Sequence, residues 1–293
     1  MEPILIATDL LLLLFWVRLW SLPERELYFN PFLSAPTRLT DRVIDFLRLV
    51  LPLPGRFVSL VVLAFLLAFR AVVLNHFAAQ WPWSVRLGAF MIFTPRVADL
   101  HGALIFSLLD FLFFVARFWG VYLFVQLLTP VLRRDRASEA FHVAALPLSA
   151  LRGWLQVLLL VTAHAFLVYE LAVVGAVRMD LPKEMASLAA GAGLAPVHRL
   201  LYHGWLTALS IADSLQAAEA CIVAFFVGGF AAFFLQNPLL NAVCNEGINV
   251  LLGRFARRLL VGMFDLTPLI YFFVVDRAYA LFCAAVMFLM AKT

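Results

Sequence analysis

Charged side chains fall inside long apolar runs: Arg70, Asp110, Arg117, Glu170, Asp276 and Arg277. A charge at the centre of a membrane helix costs roughly 2.5–3.5 kcal/mol on insertion scales, so each needs a partner or a purpose. Arg70 and Arg277 each follow by 13 residues the phenylalanine that opens their run, Phe57 or Phe264. At helical rise that is about 20 Å of depth. Equal depth points to a shared role, either pairing with a carboxylate or gripping phosphate of the far leaflet, with snorkelling as the plainer alternative. Asp276 precedes Arg277, but adjacent residues do not face each other on a helix, so it is not the expected partner. Asp110 and Arg117, seven apart, share a helix face and are expected to pair within the bundle.

His164 sits in the middle of an apolar run with Glu170 six residues on, and His101 opens another run. Axial histidines on neighbouring helices could hold haem b; a hydrogen-bonded packing role is the plainer reading of a membrane histidine. Covalent haem would need a Cys-x-x-Cys-His motif, which the chain lacks. Asp213, Gln216 and Glu219 recur every three residues. They read as an exposed interfacial turn before a span, or alternatively as a proton or cation path. Cys221, Cys244 and Cys283 have neither metal spacing nor evident pairing. No nucleophile triad, phosphate loop, dinucleotide fingerprint or zinc pattern is present. Neither catalytic residues, nor a metal, nor a cofactor is expected.

The elements that must position these residues follow from composition. The chain has 293 residues, 65% hydrophobic and 14% charged, with mean hydropathy +0.98. A soluble domain is nearer half apolar and a quarter charged. Soluble enzymes, disordered chains and disulfide scaffolds are thereby excluded. About 20 apolar residues cross a bilayer, and six runs qualify: Ile4–Trp20, Phe57–Leu74, Gly102–Leu128, Trp154–Gly175, a segment within Trp205–Leu235 with its membrane part from Ala220, and Asp265–Met290. The start Met1-Glu2-Pro3 lacks a positive n-region, so the first run reads as a retained helix. No period-two pattern calls for a barrel, so the expected fold is an all-α polytopic membrane protein.

Arginine and lysine set the orientation. The odd-numbered connections hold twelve, including Arg38, Arg42, Arg48, Arg254, Arg257 and Arg258, against six on the other side. The odd connections are therefore expected in the cytoplasm and both termini opposite. A bacterial inner membrane is the expected location, with an organellar inner membrane as the alternative. There is no basic run of the kind nucleic acid requires.

An offset of 207 residues superposes two segments. Asn30-Pro31 falls on Asn237-Pro238, Leu33 on Leu240, Val43 on Val250, Gly55 on Gly262, and Arg70-Ala71 on Arg277-Ala278. Each unit reads as a span, an Asn-Pro stop, an amphipathic helix, a glycine turn and a second span. Thr37–Val50 places Leu39, Val43, Phe46, Leu47 and Val50 on one side and Arg38, Asp41, Arg42, Asp45 and Arg48 on the other. That is an interfacial helix with its basic side towards anionic headgroups. In the second unit Asn241, Asn245 and Asn249 form the polar face. Both units begin on an odd span, so the repeat is tandem and parallel. The divisions are 1–76 and 205–293 for the units and 77–204 for a central two-span insertion.

These residues resemble the YggT (YlmG) family of bacterial and plastid membrane proteins. The second unit carries Asn237-Pro238, Arg257-Arg258-Leu259-Leu260, Gly262 and Asp265-Leu266-Thr267-Pro268; the first carries Asn30-Pro31 and Leu51-Pro52-Leu53-Pro54-Gly55 but lacks the Asp-x-Ser-Pro element. The likeness covers about half the chain, and the central part has no counterpart. It implies a non-catalytic integral membrane protein linked with complex assembly. A scaffold or accessory subunit, partnered by lipid and other membrane proteins, is the leading expectation. An ion or solute channel or transporter is the alternative, and a haem-handling protein the third.

Overall fold

The computed structural model describes residues 2–20, 30–50, 52–77, 84–88, 91–95, 99–128, 136–179, 196–252, 260–261 and 264–292. In chain order these form α1 (Glu2–Trp20), α2 (Pro31–Arg48), α3 (Gly55–Phe77), β1 (Val85–Leu87), β2 (Met91–Pro95) and α4 (Leu100–Leu128). There follow α5 (Arg136–Ala144), a single 3-10 turn (Leu148–Ala150), α6 (Trp154–Val174), β3 (Gly175–Met179) and α7 (Pro196–Phe234). The chain ends with α8 (Pro238–Leu252), β4 (Leu260–Val261), β5 (Phe264–Asp265) and α9 (Thr267–Lys292). Among the described residues five helices are long and apolar enough to cross a membrane: α3, α4, α6, α7 from Leu200, and α9 to Met290.

Local chemistry fixes the ends. Asn30 caps α2, its side-chain oxygen accepting from the Phe32 amide at 3.0 Å, with Pro31 as the first helical residue. Proline suits that position because the first helical N–H has no intrahelical acceptor. Asn237 repeats the cap for α8 through the Leu240 amide at 3.1 Å. α7 ends in a Schellman motif: the Asn237 amide reaches the Ala232 carbonyl, the Gln236 amide reaches Phe233, and Gln236 takes φ +50°.

α4 is the hub, with α1 and α3 packed to one side and α6 and α7 to the other. Phe106, Phe111 and Phe113 of α4 are fully buried. For a chain in lipid, burying such rings gains packing rather than escape from water. α4 and α7 approach closely at Gly120, where a Cβ would overlap Ser214. α8 folds back along α7, and Gly247 leaves room for Phe225, whose ring atoms lie 2.8 Å from the position of a Cβ. α5, from the central segment, lies between the two amphipathic helices: Ala140 meets Leu33 of α2, and Ala137 meets Val250 and Leu251 of α8.

The structure adds features that the sequence did not signal. The fold is overwhelmingly helical but includes a three-stranded antiparallel sheet, β1-β2-β3, and a two-stranded one, β4-β5. Their strands of two to five residues are too short to leave a periodic signature. Val261 pairs with Phe264; the expected turn at Gly262, and Arg254, Arg257 and Arg258, lie outside the described residues. The fifth apolar run belongs to one uninterrupted helix, α7, of 39 residues, of which Leu200–Phe234 is long and apolar enough to cross a membrane. Of its polar residues Asp213 faces inward, whereas Gln216 is exposed and Glu219 half-buried.

α2 also differs from its expected form. It starts at Pro31, and the stripe facing the bundle is Leu33, Thr37, Thr40 and Ile44. Leu39, Val43 and Phe46 remain exposed, as do Arg38, Arg42 and Arg48. The helix thus has three faces: one packed on protein, one exposed and apolar, and one exposed and basic. The Asn241, Asn245 and Asn249 face of α8 is exposed as expected, with Asn245 donating to Asn241 at 3.0 Å.

Candidate functional site: charges paired inside the bundle

Among the described residues two ionic clusters sit between the long helices, and both use α4. In the first, Arg70 of α3 is 2% exposed and bridges two carboxylates. Its Nη1 lies 2.9 Å from Oδ1 of Asp9 on α1, and its Nη2 donates to Oδ2 of Asp110 on α4. One guanidinium therefore ties three helices, a geometry its planar fork favours. Ser107 Oγ donates to the Leu67 carbonyl at 3.1 Å and closes the same α3–α4 seam.

The second cluster centres on Asp213 of α7, which is 3% exposed. Arg117 of α4 donates to its Oδ2 at 3.0 Å, and the Tyr279 hydroxyl of α9 donates to Oδ1 at 2.7 Å. The Gly88 amide, in the turn after β1, lies 3.0 and 3.1 Å from the two oxygens. Arg117 also donates to the Arg86 carbonyl, and its guanidinium stands 5.8 Å from the Phe113 ring centre. Every donor around Asp213 suits an ionised carboxylate, so the arrangement stabilises a buried anion beside its cation. About one turn away, His164 Nδ1 and Ser210 Oγ are 2.6 Å apart, joining α6 to α7.

The position of Gly88 defines an unusual entry. Asp213 lies 17 residues into α7 and Arg117 17 residues into α4, about 25 Å along either helix at 1.5 Å per residue. The β1–β2 hairpin therefore penetrates the bundle rather than capping it. β3 leaves the end of α6 directly and pairs back along β2, from Pro95↔Gly175 at the mouth to Met91↔Met179 at the inner end. Strand backbone at such depth is tolerated only where protein encloses it. Val85, Leu87 and Phe93 meet this demand by packing against α4, α6, α7 and α9. Gly88, at φ +64°, supplies the left-handed turn that other residues rarely adopt.

The expected pairings are rearranged. Asp110 and Arg117 do not pair with each other: seven residues separate them by about 10 Å along the axis, and each finds a closer partner on another helix. Arg70 does pair with carboxylates, but Arg277, at the matching position, does not share this role. Its side chain is 65% exposed, with Nε 3.6 Å from Asp276 Oδ2 and the guanidinium 5.0 Å from the Phe273 ring centre. Asp276 is thus in contact with it after all, because arginine is long enough to bend back across one residue. Asp213 belongs to the core rather than to an interfacial turn, whereas Gln216 is exposed and Glu219 half-buried. Glu170 is half-buried.

His101 and His164 are not brought together. His101 is exposed in the first turn of α4, while His164 meets Phe113, twelve residues further along that helix. Among the described residues no group of three His, Cys, Asp or Glu side chains could hold a metal ion. Sequence reasoning missed Asp9, Gly88, Ser210 and Tyr279. Asp9 carried the same signal as the charges that were noticed, an acid inside an apolar run; Tyr279 carried none, since tyrosine is unremarkable in a membrane helix.

Outside the spans, His142 of α5 accepts from or donates to the Tyr122 hydroxyl at 2.8 Å, and burial lowers its pKa from the usual 6.5. Asn30 does more than cap α2: its amide donates to the Arg136 carbonyl at 2.7 Å and to Glu139 at 3.2 Å, fastening α2 to α5. Asp41 of α2 pairs with Arg18 of α1. No family model, curated protein or solved structure matches the chain.

Proposed function

We propose that the chain is a non-catalytic integral membrane scaffold or accessory subunit that serves the assembly of a larger membrane complex. One observation carries this reading: Arg70 and Arg117 are bound to carboxylates of the chain itself, so these intramembrane charges serve to lock helices together. Outer faces of the spans offer large apolar side chains, such as Phe65 on α3, Phe166 on α6 and Phe233 on α7. In this reading α1 makes a sixth crossing, both termini lie on the non-cytoplasmic side of a bacterial inner membrane, and Arg38, Arg42 and Arg48 meet anionic headgroups. The two Asn-Pro units remain akin to the YggT family. Photo-crosslinkers placed at Phe166 and Phe233 in cells should yield adducts with other membrane proteins; adducts with lipid alone would overturn the scaffold. Cysteine introduced at Arg42 should react with an impermeant reagent only after the cytoplasmic side is opened.

A channel or transporter is the second reading, favoured by Asp213 at depth beneath a re-entrant hairpin. Ionisable groups and non-helical backbone within a membrane commonly accompany transport paths. Ion flux in liposomes that Asp213→Asn abolishes would establish it over the scaffold.

A further inference from the structure

A charged pair in the middle of a span should not face lipid, yet on α9 Arg277 faces outward and Asp276 stands half-exposed at the edge of that face, within electrostatic reach of Glu219 on α7. The side chains of Asp276 and Arg277 are 44% and 65% exposed. Arg277 lies ten residues from Thr267 and thirteen from Met290, the ends of the apolar stretch. Those distances are about 15 and 20 Å, beyond the reach of a side chain snorkelling to either interface. Arg70, 207 residues earlier, is covered by α1 and α4 with a carboxylate from each. Among the described residues no helix supplies that cover for Arg277.

The patch is complementary to itself. Residues 276 and 277 stand about 100° apart around the helix, so the line midway between them runs through Phe273, Ala280 and Ala284. Phe273 is 59% exposed and both alanines are exposed. Under a two-fold axis normal to the membrane, α9 would meet its copy along that line. The Arg277 flank of each helix would then face the Asp276 flank of the other at equal depth, as an isologous contact requires. Ala280 and Ala284, four apart beside the ionic pair, permit the close backbone approach of small-residue membrane interfaces. We propose that the outer face of α9 is a two-fold interface with a second copy of this chain, held by reciprocal Asp276–Arg277 pairs. The inference goes beyond the scaffold reading and does not depend on it.

The test uses the full chain in native membranes with Cys221, Cys244 and Cys283 replaced by alanine. Ala284→Cys should form a disulfide-linked dimer on mild oxidation, whereas Val157→Cys on the outer face of α6 should remain monomeric. Adding Arg277→Asp should reduce the Ala284→Cys dimer at least tenfold, and the exchange Asp276→Arg with Arg277→Asp should restore it. Should Arg277→Asp fail to accumulate, Arg277→Gln should still lower the dimer fraction in liposomes. The proposal is overturned if Ala284→Cys stays monomeric at every protein-to-lipid ratio, couples to a different protein, or dimerises equally well without Arg277.

Discussion

The segments α1–α3 and α7–α9 share an offset of 207 residues but treat their matching residues differently. Leu33, Thr37, Thr40 and Ile44 of α2 correspond to Leu240, Cys244, Gly247 and Leu251 of α8, and both sets turn towards protein. The amphipathic helices thus bury the same face. Their flanking spans do not. Arg70 is enclosed by α1 and α4, whereas Arg277 is left on the outside of α9. The difference teaches that residues matched at this offset need not share surroundings, because the neighbouring helices decide whether an arginine is enclosed or left outside. α4 occupies the inner side of both units, but only α3 turns its arginine towards it.

Substituting the two arginines is the sharpest way to break this comparison. Arg70→Leu strands Asp9 and Asp110, and removing one partner of a buried ionic group costs about 3–5 kcal/mol. Cellular abundance and thermal stability in mild detergent should fall severely, while Arg277→Leu should leave the monomer fold within about 0.5 kcal/mol. Equal loss from both would mean that Arg277 is as structural as Arg70. Asp213→Asn comes next. It leaves Arg117 without its counter-charge and weakens three hydrogen bonds, and a loss of about 2–4 kcal/mol is expected. A cysteine at Arg86 should then label faster from the side at which the hairpin enters; unchanged labelling would show that Asp213 does not hold the turn.

Gly120→Ala tests the α4–α7 crossing, where a Cβ meets both Oγ and Cβ of Ser214. Overpacking there should cost about 1–3 kcal/mol, and pairing it with Ser214→Gly should recover part of the loss. The two caps sharpen the comparison more finely. Asn30→Ala should cost about 1–2 kcal/mol because it also severs α2 from α5, whereas Asn237→Ala, at an exposed cap, should cost nearer 0.5 kcal/mol. Matching losses would imply that the α5 contacts of Asn30 add nothing.

The smallest effect is expected from pH. Burial lowers the pKa of His142, so its neutral form is favoured in the folded chain. Its contribution is complete above the unfolded value near 6.5 and is lost as pH falls through the lower folded value. The wild-type melting temperature should therefore drop more on acidification than that of His142→Gln.

Legible in the amino-acid sequence were the solvent, the helical class, the Asn-Pro starts of α2 and α8, and the presence of costly charges inside apolar runs. Those features depend on composition and on local backbone chemistry, which a single chain segment carries within itself. Tertiary structure alone decided who pairs with whom. Asp110 and Arg117 share a helix face, yet each bonds across an interface, because a side chain reaches only a few ångströms while seven residues of helix span about 10 Å. The hairpin at Asp213 was equally hidden, since three short strands gain their stability from the helices around them and not from any periodicity of their own.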